Sequence, residues 1–411
     1  MNDSPCRSQR ILAAALTLLA LILPISIAGT NIALILATAA LLARPACGQP
    51  LQWRPALIPA VWCLCLYCAV AVLTAFTGVA PMNSLHHLHK DFHKLWVFLL
   101  LLSAFRIAPR DDDTMRRFQS ALFLGFAFIA AYGIFQSGFD SYRSFHGWNA
   151  DGYGPAFRRA RAFIHPVTYG EIAALGFLGC LSFWDRARIP RLDRRLAALP
   201  FILLAGALIL NQTRGALLGV LAGFLALCVV EPSYRRWIKW GLVAIALGAA
   251  GQELIPNGRS LIASLRQFGA SVGSNPQLNR LILWDVAWRE FKDHPWLGVG
   301  PSNYATVFPN YFQGTIEGIR VWTSAHNIFL HQLAERGLVG LAALLALSWT
   351  LLARAWQRVR RAPDAWNLWA WSTTVAFFFM NLTETAFQTE QIATLFLFIW
   401  ARAESRTDTQ A

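Results

Sequence analysis

The chain has 411 residues, 56% of them hydrophobic and 14% charged, and a formal net charge of +14. So much apolar sequence, spread over the whole length, excludes a soluble domain. In such a chain the excess of cations reports membrane topology and anionic lipid rather than nucleic acid.

Apolar runs of roughly 17–25 residues mark transmembrane helices. Twelve are expected, at about 11–28, 30–44, 56–76, 94–107, 117–137, 167–184, 197–212, 214–231, 238–254, 327–353, 366–382 and 385–402. The expected fold class is therefore an all-α polytopic membrane protein, a single domain over 1–411. The first run, with Arg7 and Arg10 before it, has the form of a signal peptide. Kept as a helix, it makes the loop charges alternate. With the N-terminus inside, Arg44 and Arg54 fall in one cytoplasmic loop, and Arg106, Arg110, Arg116 and Arg117 in the next. Arg186 to Arg195, Arg235 to Lys239 and Arg354 to Arg361 fill the following ones. Every second loop is basic, as the positive-inside bias requires, and both termini are cytoplasmic.

Three outer loops are long enough to carry structure. The first, about 77–93, holds His86, His87, His89, Lys90, Asp91 and His93. His86, His89 and His93 have helical spacing, but only Asp91, on another face, is at hand to complete a metal site. A wet interfacial helix is expected there, without metal. The second loop, about 138–166, holds Arg143, His146, Arg158, Arg159, Arg161 and His165. The third, 255–326, is the largest and lies between spans nine and ten. Within it Asn279–His294 reads as an amphipathic helix lying at the interface with its tryptophans toward lipid, ended by the Gly/Pro segment Pro295–Tyr304. All 9 histidines fall on the outer side or just inside the outer end of a span, which suits proton chemistry there. None of the 7 cysteines lies in an outer loop, so no disulfide is expected.

A minority of arginines breaks the charge bias by standing on the outer side, and an anionic substrate at that surface gives the reason. Arg214 sits in an almost loopless turn between two apolar runs. An arginine there either snorkels to lipid phosphate or binds a substrate phosphate bidentately. Arg280 opens the amphipathic helix, where a phosphate would also meet the helix N-terminus. Arg289, nine residues on, is half a turn off that face and serves a different partner, or solvent, or Glu290 and Asp293. In the run Arg158, Arg159, Arg161, the last lies nearest the next span. His326 opens the tenth span, where a helix N-terminus favours neutral imidazole and hence a general base; a polar helix start is the plainer reading. Glu335 continues into apolar helix, with a pair to Arg336 or Arg214 as its structural explanation.

Three stretches carry a resemblance. They are Gln212-Thr213-Arg214-Gly215-Ala216-Leu217-Leu218; then Arg280-Leu281-Ile282-Leu283-Trp284 with His294-Pro295-Trp296-Leu297-Gly298-Val299-Gly300; then His326-Asn327 followed by Leu330, Leu333, Glu335, Gly337 and Gly340. In this order they resemble the O-antigen ligase/polymerase superfamily of bacterial inner membranes. The resemblance implies a GT-C-like, inverting, metal-independent glycosyltransferase without a cofactor. Its donor would be a glycan on undecaprenyl diphosphate, and its active site periplasmic. A ligase transfers to the terminal sugar of lipid A-core, a polymerase to another repeat, and protein O-oligosaccharyltransferases to Ser/Thr. The ligase is favoured because the chain carries no large C-terminal soluble part. The expected catalytic residues are His326, Arg214 and Arg280; the expected substrate contacts are Arg161, Arg158, Arg289, Glu335 and Asn327. A monomer is expected. A transporter for a lipid-linked sugar would use the same arginines without a base, but carriers place such charges near the bilayer midplane on broken helices.

Overall fold

A computed structural model describes residues 7–44, 58–108, 112–146, 157–184, 191–239 and 276–407. Among them the chain is helical, with one isolated bridge between Ile316 and Ile319 and no strand. In chain order the helices are α1 (Arg7–Ile22), α2 (Ile27–Leu42), α3 (Pro59–Thr77), α4 (Pro81–His87), α5 (His89–Ile107), α6 (Asp112–Phe145), α7 (Pro166–Ser182), α8 (Arg191–Asn211) and α9 (Arg214–Val230). After the undescribed stretch come α10 (Pro276–Asp293), α11 (Tyr304–Tyr311), α12 (Ile328–Arg361), α13 (Ala365–Met380) and α14 (Glu390–Thr407). The expected span at 238–254 lies outside the described residues beyond Lys239, as does 255–275.

Three of these helices are long and apolar enough to cross a bilayer: Pro59–Thr77, Asp113–Phe145 and Ile328–Arg361. Ile27–Leu42, Arg195–Asn211 and Arg214–Val230 are shorter apolar helices. With this make-up the chain is a membrane protein. Two expected boundaries move. The run at 94–107 begins earlier, at His89, because Asp91 and Lys94 satisfy one another inside the fold. The run at 117–137 extends from Asp112 to Phe145.

Helix ends follow local chemistry. Ser26 caps α2 through Gly29 N–H, and the Asp364 carboxylate accepts from Trp366 and Asn367 N–H to cap α13. Small residues let the helices approach: a Cβ on Gly179 would stand 2.4 Å from the Trp369 ring, and one on Gly223 2.8 Å from Ser372 O. The apolar core runs through α1 to α3, α5 to α9 and α12 to α14, with Trp369 and Trp400 fully buried.

The expected tenth span is in fact two helices. Gly337 has φ +60°, ψ −160°, and breaks α12 into 328–336 and 338–361. The second piece alone rises about 36 Å, enough to span. The backbone groups freed by the break are taken up by the segment after α10. Val299 and Gly300 N–H donate to Ala334 and Glu335 C=O (2.9 and 2.8 Å), and Leu338 N–H donates to Pro295 C=O (2.9 Å). Only glycine fits at both faces of this contact. A Cβ on Gly298 would be 2.3 Å from Arg336 N, and one on Gly337 2.3 Å from the Trp296 carbonyl, and both residues have positive φ. The same segment meets the end of α3, where Val79 N–H donates to Val299 C=O, and α4, where Ser84 Oγ donates to Pro301 C=O. The His-Pro-Trp-Leu-Gly-Val-Gly stretch is thus a structural splice.

The amphipathic helix expected from Asn279 is α10, but it does not simply lie on lipid. Leu283, Val286 and Ala287 pack with Tyr304, Phe308, Ile316, Ala325 and Ala334 into a small core of their own. Trp288 is exposed, whereas the Trp284 indole N–H is buried.

Candidate functional site

Four short connections meet at one place: residues 158–165 before α7, the 211–213 turn between α8 and α9, residues 322–327 before α12, and residues 381–389 between α13 and α14. Buried amides join them. Asn327 Oδ1 accepts from Phe329 and Leu330 N–H, capping α12, while its Nδ2 donates to Leu382 C=O (3.0 Å). Ile328 N–H donates to Asn381 C=O, and Asn381 Oδ1 accepts from Phe387 N–H. On the other side Asn211 Nδ2 donates to both Ala160 and Pro166 C=O at 2.7 Å. Arg159 holds the same turn, donating to Asn211 C=O and to Thr213 Oγ1, each at 2.6 Å.

These clamps bring together residues far apart in sequence. Glu384 is buried; its Oε2 lies 2.7 Å from His326 Nδ1, and its Oε1 accepts from Arg280 Nη2. A carboxylate only accepts, so the ring proton belongs on Nδ1 and the lone pair on Nε2. His326 and Arg280 stay partly open, at 26% and 32% side-chain exposure, against 5% for Glu384. Gly215, beside Arg214 at the start of α9, packs against Thr383 and Glu384, the would-be Cβ being 2.7 Å from Thr383 Oγ1. The first turn of α9 therefore abuts the same carboxylate. His165 caps α7 by accepting from Val167 N–H and feels Glu384, Arg159 and His326. Burial lowers its pKa; Glu384 opposes that, and Arg159 and His326 add smaller lowering effects. Glu171, one turn into α7, is buried within electrostatic range of Glu384 and Arg280.

The turns are strained. Among the described residues five non-glycines have positive φ, and Ala162 (+49°), Gln212 (+57°) and His326 (+48°) belong to the connections that build this site. Such conformations cost about 1–3 kcal/mol each and persist only where the surroundings hold them.

Of the expected residues, His326 and Arg280 converge on one carboxylate, and Arg214 lies at the helix start beside it. Asn327 is committed to a cap and a clamp, so it positions His326. Arg161 offers its backbone N–H to Gln136 and keeps its side chain exposed. Arg158 pairs its backbone with Ser137 and Ser141, and its Nη2 is buried. Arg289 pairs instead with Asp285 at 2.8 Å and stacks over Tyr311. Glu335 pairs with neither Arg336 nor Arg214 but with His331 (3.5 Å), and accepts from Tyr304 N–H. Arg336 turns to Asp91. Glu384, Arg159, His165 and Glu171 were not singled out by the sequence. Weighing outer cations alone passes over the acid that gathers them; a carboxylate interrupting the apolar runs at 366–382 and 385–402 was the available signal. Among the described residues no three His, Cys, Asp or Glu side chains gather as metal ligands, and His93 turns to Glu390 at 3.1 Å.

The site coincides with a sequence match. Residues 199–345, which include Arg214, Arg280 and His326, match the family described as O-antigen ligase. The chain is also similar to an O-antigen ligase of Pseudomonas aeruginosa, 28% identical over 225 residues, 53% of this chain and 47% of the relative. The chain thus spans about half the length of that relative. Glu384 and Arg159 stand outside the matched segment, yet they complete the site within it. Both matches are likenesses to O-antigen ligases, and the family match falls on the segment that carries Arg214, Arg280 and His326.

Proposed function

We propose that this protein is an inner-membrane O-antigen ligase that transfers a glycan from undecaprenyl diphosphate to the terminal sugar of lipid A-core at the periplasmic face. About twelve helices in a GT-C-like arrangement carry it, with both termini cytoplasmic. The observation that carries the reading is the shared carboxylate: Glu384 holds a base, His326, and an anion binder, Arg280, side by side.

In this reaction the acceptor hydroxyl gives its proton to His326 Nε2 as its oxygen attacks the anomeric carbon. The bond from that carbon to the diphosphate oxygen breaks on the opposite face, so configuration inverts. Undecaprenyl diphosphate leaves with the electron pair. Arg280 spends one donor on Glu384 and has others for phosphate; Arg214 adds a second cation. Together they take the role a metal plays elsewhere. Glu384 stabilises the imidazolium as it forms, and His326, a quarter exposed, returns the proton to water. Arg159 keeps the turn before Arg214 in place. Arg158, Arg161, Arg289 and Glu335 are left to donor glycan and acceptor at most, since none reaches the Glu384 cluster.

The test is transfer in vitro from a short lipid-diphosphate-linked glycan to lipid A-core in the presence of EDTA. Wild type should form product, and His326→Ala should lose about 10²–10⁴ in rate. Undiminished transfer by His326→Ala ends the assignment of the base. Lengthened glycan on the carrier lipid instead would make the protein a polymerase, and transport without covalent product would make it a carrier.

A further inference from the structure

A short hairpin ties the start of α10 to the base. Ile316 and Ile319 exchange backbone hydrogen bonds, each 2.9 Å. Glu317 and Gly318 at the tip both have positive φ, 53° and 77°, the two-residue turn whose twist suits an antiparallel pair. Ile316 is buried in the small core on α10. Asn279, the residue before Arg280, donates from Nδ2 to Glu317 Oε1 (3.2 Å). So pinned, the hairpin sends its second arm through Trp322 to His326. Trp322 is half-buried and packs at the rim of the small core. Its ring meets the His326 ring edge to face, with centroids 5.4 Å apart. The indole N–H is buried, so the part of the ring left open is carbon. Proton transfer to His326 and phosphate binding by Arg280 require no indole here.

We infer that Trp322 is the platform on which the acceptor sugar stacks. The inference rests on the function proposed above and assigns the acceptor side of that site. Inversion separates the two substrates: the hydroxyl attacks the sugar ring on the face opposite the departing group. Glu384 divides the same two poles, with Arg280 on Oε1 and His326 on Oε2. Trp322 stands at the histidine. The hydroxyl that gives its proton to Nε2 therefore belongs to a sugar within reach of the indole. A pyranose ring presents a face of C–H groups, weakly positive, and an aromatic ring carries its negative charge on its face. A rigid carbon surface beside one polar group is what fixes a ligand's orientation. A diphosphate gains nothing from such a surface, because its charge would lose water against carbon. Trp322 thus sets which sugar, and which of its hydroxyls, meets His326.

Two measurements test this. In the first, transfer by Trp322→Ala, Trp322→Tyr and Ile319→Ala is followed with donor and acceptor varied separately. Ile319→Ala removes an exposed apolar side chain from the same hairpin. Trp322→Ala should raise KM for lipid A-core about tenfold, which is ~1.4 kcal/mol, and leave kcat and the donor KM within about twofold. Trp322→Tyr keeps a ring and should recover most of the loss, and Ile319→Ala should change neither KM. Trp322→Leu fills the core without a ring and takes the place of Trp322→Ala if that variant unfolds. A fall in kcat at unchanged acceptor KM would mean that the indole only props His326. An equal rise with Ile319→Ala would mean that apolar bulk on the hairpin, not the ring, is what counts. Either result overturns the inference. The second measurement needs no transfer. Core oligosaccharide freed of lipid A is added to the protein in detergent, and saturation-transfer NMR reads which sugar protons touch it. Protons of the terminal sugar should respond with wild type and Trp322→Tyr, and not with Trp322→Ala. The same response from Trp322→Ala, or none from wild type, would strike the platform, whereas binding through Trp322 without transfer by wild type would strike the proposed function alone.

Discussion

Asp91 and Glu384 are each held by two basic side chains, and their surroundings make them different devices. Asp91 lies between Arg336 (2.7 Å) and Lys94 (3.4 Å), and all three side chains are 6% exposed or less. Arg336 also stacks on Tyr67 and Lys94 on Phe387, so the cluster ties α3, α5, α12 and the segment before α14 together. Glu384 is as deeply buried, but its partners His326 and Arg280 reach the surface by a quarter to a third of their area. The first arrangement can only hold the fold. The second can exchange a contact for a ligand, and its histidine keeps one nitrogen unspent.

The largest effect should come from the closed cluster. Asp91→Ala leaves two buried cations without their acceptor and should destabilise by about 3–5 kcal/mol. It should appear as a large drop in the unfolding temperature in detergent, with poor expression. Removing Arg336 as well, as Asp91→Leu with Arg336→Met, should recover part of the loss, because the orphaned charge goes with it. A mild effect of Asp91→Ala would mean that water reaches the cluster and that the contrast with Glu384 is one of degree.

Glu384→Gln should act the other way round. His326 loses the acceptor that fixes its tautomer, so transfer should fall about 10²-fold. Stability should move little, because both partners can turn to water. If Glu384→Gln melted the protein as Asp91→Ala does, the open cluster would be structural after all.

This contrast also divides what the sequence made legible. Apolar runs revealed the helices because burial in a bilayer imposes length and composition on each run separately. Arg214 and Arg280 stood out because an arginine in a loop read as outer breaks a statistical bias, and His326 because it opens an apolar run. Glu384 breaks no such bias, and its meaning depends on the clamp between Asn327 and Leu382, 55 residues apart. The break at Gly337 was equally hidden: the run from Ile328 is continuous in hydropathy, and only docking of residues 295–300 turns a flexible glycine into an interruption. Arg158, Arg159 and Arg161 show the limit within one run. Proximity to the next span favoured Arg161, whereas the structure gives the organising contacts to Arg159.

A third carboxylate extends the comparison to a case with no cation. Glu290 on α10 is fully buried, neither oxygen has a partner, and Glu335 is nearby. Burial, and then Glu335, pushes its pKa up to about 9. The folded state therefore holds this proton more tightly than the unfolded chain. Stability from this group is full below its ordinary pKa near 4.5 and is lost as pH rises toward 9. Glu290→Gln keeps the shape without the charge, so it should raise the unfolding temperature at pH 8 and flatten its decline between pH 6 and 9. An unchanged slope would show that a partner or water satisfies Glu290 in solution.

Arg289 gives the smallest expected effect and bounds the comparison from the exposed side. It shares α10 with Arg280. Its nine-residue offset turns it about half a turn away. There it pairs with Asp285, one helical turn back, with both side chains over two-fifths exposed. Such a pair is worth at most about 1 kcal/mol, so Arg289→Ala should leave the unfolding temperature nearly unchanged. Transfer should stay within about twofold of wild type, since the substitution leaves the Glu384 cluster intact. A tenfold loss in kcat/KM with normal stability would place a phosphate or sugar on this second face of α10. The binding surface would then extend around the helix rather than ending at Glu384, and charge on the outer side, not the shared carboxylate, would be the better guide to where the substrate sits.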